Sequence, residues 1–198
     1  MTDIGYGSSR RTVLKALTFA PIASLRMPAK ASPSGAAIEA LPYHDEPVVL
    51  TRTRLGRSES RFRYHNAESF FFAIEQGRVR DPHDRLYQVG IVLQLGLSSH
   101  LLDVGFTDRW CARHVGLNVI RSLDYANASG FGFENADFDL LATILSPYGK
   151  WRFPQPTDRV EDLPVTAEQT RILTRALLDH VRHVTGHPRP RGWNARHA

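Results

Sequence analysis

The residues of this sequence whose types and spacing can do chemistry fall into three small groups. Cys111 and His114 stand one helical turn apart, where a thiol and an imidazole can share a metal ion or act as a nucleophile–base pair. His100 and Asp103 precede them by a few residues. His180 and His183 repeat the same spacing beside Asp179, with His187 following, a set suited to zinc or copper. Glu134, Asp137 and Asp139 form an acidic group that invites a calcium or acid–base reading. Each group also has a plainer account, and we favour it in every case. Cys111 shares an apolar stripe with Val115, Val119 and Leu123, which suits a buried structural thiol. Histidines near the end of a helix complement its dipole, and acidic residues suit a helix start. The acidic group lacks the glycine and terminal glutamate of a calcium loop. There is no phosphate-binding loop and no G-x-S-x-G elbow, and Gly130-Phe131-Gly132 lacks the third glycine of a dinucleotide fingerprint. The sequence names no catalytic residue and no cofactor.

The N-terminus carries a different kind of signal. Residues Ser9 to Lys15 read S-R-R-T-V-L-K. A short, mildly apolar segment follows from Ala16 to Leu25, and then the small-residue run Ala29-Lys30-Ala31. Charged head, apolar neck and A-x-A site stand in the order of an export signal. The segment resembles a twin-arginine translocation (Tat) signal, whose pattern is S-R-R-x-F-L-K. Ser9, Arg10, Arg11, Leu14 and Lys15 match it, and Val13 stands where the pattern has phenylalanine. The resemblance covers residues 1–31. It implies contact with the Tat translocase during export in the folded state, cleavage after Ala31, and a periplasmic or exported mature protein. Start of translation at Met27 would remove the signal and leave the chain in the cytoplasm.

Composition narrows the mature part. Up to Ala31 there are five basic residues against one acidic, and thereafter twenty against nineteen. Proteins held on nucleic acid by phosphate contacts usually show a larger surplus, so nucleic acid is disfavoured as a partner. The single cysteine allows no disulfide within the chain. No apolar run reaches the roughly 18 residues of a membrane span, so no stable span is expected. The longest uncharged stretch, Leu86 to Leu102, includes Gln88, Gln94, Ser98, Ser99 and His100 and reads as a core helix.

These residues must be held by a mainly α fold, a bundle of about five helices with a small N-terminal β-hairpin. Residues 32–47 read as a linker. One domain is expected over 48–186, with a disordered tail over 187–198. The hairpin would use Val48 to Arg54 and Glu59 to His65, which partly alternate. Asn66 is placed to cap a helix from Ala67 to Gln76, and Asp84 the next. That next helix is apolar on most sides through Leu86, Val89, Leu93, Leu97 and Leu101, and so belongs at the centre. Gly105 and Thr107 end it and start another, read as continuous from Asp108 to Ala126. Asp137 to Ser146 is a short helix, followed by a loop pinned by Trp151 and Phe153. Thr166 and Gln169 form a capping box for the last helix, which Gly186 and Pro188 end.

Three functions fit: an exported accessory protein that binds a partner protein without catalysis, a small exported metal-binding or redox enzyme, and a cytoplasmic DNA-binding regulator beginning near Met27. The third rests on Ala112 and Gly116, whose spacing is similar to that in helix-turn-helix units, with Arg113, Asn118 and Arg121 toward DNA.

Overall fold

The computed structural model describes residues 37–38, 42–43 and 48–190. The export signal, its cleavage point, most of the linker and residues 191–198 lie outside the described residues.

Among the described residues there are six helices: α1 (Arg54–Glu75), α2 (Pro82–Val104), α3 (Asp108–His114), α4 (Val119–Ala128), α5 (Ala136–Ile144) and α6 (Ala167–Thr185). They pack as a mainly α bundle. Two strands of two residues each, β1 (Ala37–Ile38) and β2 (Val48–Val49), pair antiparallel with Ala37 opposite Val49.

The expected hairpin is mostly helix. Thr53, with extended backbone, caps α1 by accepting the Gly56 N–H, and the helix runs through the second expected strand, Glu59 to His65, while Val48 and Val49 of the first are strand but pair with Ala37 and Ile38 instead. Ser60, Tyr64, Ala67, Glu68, Phe71 and Ile74 are its buried positions. Their spacing of three and four is helical, and it overrides the short alternation that suggested strands. Asn66 therefore lies inside a helix and caps nothing.

α2 is central, as its all-round apolar pattern requires. α1, α4, α6 and the single turn around Trp151 all contact it. Its cap is Asp81, not Asp84: Pro82 takes the first helical position, and the Asp81 carboxylate accepts the Asp84 N–H. Gly90 is the point of closest approach, since a Cβ there would lie 2.3 Å from Tyr148 Cβ.

The stretch read as one helix from Asp108 to Ala126 is two. Gly116 adopts φ of 59°, in the left-handed region that favours glycine, and Asn118 then caps α4 through the Arg121 N–H. Val115, Val119 and Leu123 are buried on either side of this break. In the segment after α5, Trp151 is buried and its indole N–H donates to the Ile144 carbonyl at 3.2 Å. Phe153, the second expected anchor, is 73% exposed. Pro154 and Pro156 flank a connection that holds it outside the core.

α6 forms as its sequence dictates. The Thr166 hydroxyl accepts the Gln169 N–H, the Gln169 side chain accepts the Thr166 N–H, and Gly186 closes the helix at φ of 69°. The chain stays ordered past it: His187 is buried and Arg189 is ion-paired.

Candidate functional site

Cys111 sits in the core, where burial, with Asp108 nearby, pushes its thiol up to about 12. A thiol held neutral is a poor nucleophile and a poor metal ligand. His114 stacks on Trp110 at 4.7 Å between centroids, within a ring cluster that includes Phe106 and Tyr125. The helical turn that brings Cys111 and His114 near in sequence thus gives them different surroundings.

His180 donates its Nε2–H to the Phe131 carbonyl at 2.7 Å, with its ring edge-on to Phe131. His183 lies farther along α6, 6.5 Å away between ring centroids. Asp179 is engaged by Arg175 and Arg189. Among the described residues, no group of three or more His, Cys, Asp or Glu side chains is placed to hold a metal ion.

Two polar clusters that the sequence did not reveal lie between α1, α2 and α6. In the first, Ser60 Oγ is 2.6 Å from the Ser99 carbonyl and 2.7 Å from His187 Nε2. The pair looks like a nucleophile and its base, but the proton positions oppose that. A carbonyl only accepts, so the Ser60 proton goes to Ser99, and His187 donates its Nε2–H to Ser60. An activated serine needs the reverse. Ser60 is also fully buried. Burial lowers the pKa of His187 to about 4, so its ring is neutral. Beside it, Arg57 bonds Asp103 at 2.6 Å and the Thr185 carbonyl at 3.1 Å, tying α1 to α2 and to the end of α6.

In the second cluster, buried Glu68 accepts from Tyr64 at 2.7 Å and from Arg175 at 3.0 Å. Arg175 also reaches Glu75 at 3.1 Å, and Arg189 lies 3.6 Å from Glu68. Desolvation and the Glu68 carboxylate raise the Tyr64 phenol well above its ordinary value. Most polar groups of both clusters bond to one another, while the buried Arg189 Nε has no hydrogen-bond partner among the described residues. The partners lie up to 128 residues apart, which hid them from local spacing. The small polar Ser60 and charged Glu68 on the apolar face of α1 were the available signal.

His100 is another buried ring. Burial first, then Arg52 and His180, lower its pKa to about 4. Its Nε2 is 3.3 Å from Ser129 Oγ, and its ring packs on Phe131 at 4.9 Å.

One feature that faces outward is a groove of about 600 Å³, open to solvent. Phe70 and Ala73 of α1 form one wall, Tyr87, Gln88 and Ile91 of α2 the floor, and Arg152 the far side. Phe70 is 45% exposed. Arg152 is held over the rings of Tyr87 and Phe153, at 5.8 and 5.3 Å. Phe62, two turns before Phe70 on α1, is also exposed.

α4 is buried on one face through Val119, Ser122, Leu123, Tyr125 and Ala126, while Ile120, Arg121, Asp124 and Asn127 are half-buried and Ala128 is exposed. No residue from Val119 to Asn127 is fully exposed. Asn118 caps the helix, while Arg121 lies over the Tyr43 ring and donates to the His114 carbonyl.

No protein-family model, curated protein or solved structure matches the chain.

Proposed function

We propose that this chain is exported by the twin-arginine route and acts outside the inner membrane as a helical binding partner of another protein, catalysing no reaction itself. The observation that carries the binding role is the open apolar groove over α2. Exposed aromatic surface costs free energy in water unless something covers it, and contiguous patches of this kind mark interaction sites. The polar clusters, by contrast, bond mainly within themselves around buried Ser60, Glu68 and Asp103, which suits positioning of helices. Export rests on Ser9 to Lys15, the apolar segment to Leu25 and the small-residue site at Ala31. Among the described residues no helix is long and apolar enough to cross a membrane.

The test is an Arg10→Lys, Arg11→Lys double change followed by cell fractionation. Lysine keeps the charge and loses the planar guanidinium fork. The unchanged chain is expected in the periplasmic fraction, shortened to begin at Ser32. The double variant is expected in the cytoplasm at full length. Equal distribution of the two would remove the export reading.

A further inference from the structure

We infer that residues 187–190 form a strap across α1 that acid releases: docked while the His187 imidazole is neutral, swung out about Gly186 once that ring carries a proton, with the helical domain still folded. This stands apart from the partner reading above and does not depend on the groove.

The strap is a short segment held at three points. Gly186 closes α6 at φ of 69°, and prolines at 188 and 190 keep the chain from resuming a helix. It lies against α1 instead. His187 donates its Nε2–H to Ser60 Oγ at 2.7 Å, and His65 donates its Nε2–H to the Pro188 carbonyl at 3.0 Å. Arg189 pairs with Asp179 and lies 3.6 Å from Glu68. The two outer ties are the weaker ones. His65 and Arg189 are only half-buried, and ion pairs open to water contribute little. Arg189 Nε is buried with no hydrogen-bond partner among the described residues, a donor that water satisfies on release. His187, 3% exposed, is the anchor. Withdrawing it breaks no helix. His100, by contrast, lies within α2 and reaches water only if the core opens.

Charge sets the direction. From α1, Arg57, Arg61 and His65 face the His187 ring, and the Tyr64 ring lies 6.2 Å away. From α2 comes Asp103. From α6, Asp179, Arg182 and His183 share with His187 a cleft of about 480 Å³ that opens to solvent. Asp103 favours a proton on the ring, but its carboxylate is already held by Arg57 at 2.6 Å and by Arg52 at 3.8 Å. Asp179 is engaged by Arg175 and Arg189. A further positive charge here is therefore poorly compensated, and burial opposes it most of all, lowering the ring's pKa to about 4. In water the same ring takes its proton near pH 6.5. The released strap binds the proton more tightly than the docked one, so falling pH favours release. With these two values the ratio of released to docked strap rises about 30-fold from pH 7.5 to 5.0.

The test is amide hydrogen exchange of the full chain, read by NMR at positions 187 and 189 and at Leu93 in the core of α2, between pH 7.5 and 5.0. After correction for the intrinsic pH dependence, exchange at 187 and 189 is expected to rise about 30-fold. It should also stay faster than at Leu93 throughout, which marks release without unfolding. His187→Gln keeps a side-chain N–H for Ser60 and does not titrate, so it should abolish the rise. Strap exchange that follows only the intrinsic dependence overturns the proposal. So does exchange no faster than at Leu93, since the strap then leaves only when the domain unfolds. A rise undiminished by His187→Gln puts the trigger on another group and overturns it as well.

Discussion

His100 and His187 set the pH behaviour of the domain, because both are buried and both are pushed down to about 4. Around His187, Arg57, Arg61 and His65 oppose protonation and Asp103 favours it, with burial the largest influence. An unfolded chain takes up these protons near pH 6.5, whereas the folded one refuses them until about pH 4. Stability is therefore complete above pH 6.5 and falls as the pH drops toward 4. For His100 the full effect is about 3 kcal/mol. Urea unfolding between pH 7.5 and 4.5 should show a falling midpoint, and a His100→Gln, His187→Gln variant a flatter one. A wild-type midpoint constant over that range would contradict the burial of both rings. Neither property was readable from spacing. His187 was assigned to a tail, and its burial comes from Ser60, 127 positions earlier.

At the level of elements, the tightest constraint is the crossing of α2 with the turn after α5. A methyl at position 90 would meet Tyr148 Cβ at 2.3 Å, far inside contact distance. Gly90→Ala should destabilise the domain by about 1–3 kcal/mol through overpacking, despite the better helix propensity of alanine. A thermal melt checks this, and an unchanged or higher midpoint would place the turn elsewhere. Elements whose signals are local were legible in the sequence. The Thr166–Gln169 capping box, the Gly105–Thr107 stop and start, and the all-round apolar pattern of α2 each act within a few residues. α1 was misread because its early turns carry Arg57, Arg61 and Arg63 among apolar residues, and only burial of Ser60 and Glu68 against α2 and α6 identifies the inner face. The break at Gly116 was ambiguous for a related reason: Cys111, Val115, Val119 and Leu123 keep a four-residue spacing across it. The groove was beyond local reading, since it joins residues from α1, α2 and the segment after α5.

For the molecule as a whole, two lines of argument meet. The first 31 residues resemble an export signal, on which the proposed export rests, and the helical domain ties a few buried charges such as Glu68 and Asp103 to arginines while leaving an aromatic-walled groove open. Three arginines on α1 and α6 tie elements together: Arg57 holds Asp103, Arg63 holds Asp108, and Arg175 holds Glu68. The account then stands or falls on whether the exported chain is found in company. Native mass spectrometry of the protein recovered from the periplasmic fraction tests this directly. The prediction is a chain beginning at Ser32, bound to a different polypeptide in a defined complex. A chain that begins at Met1 or Met27, recovered only from the cytoplasm and only as a lone monomer, would contradict it.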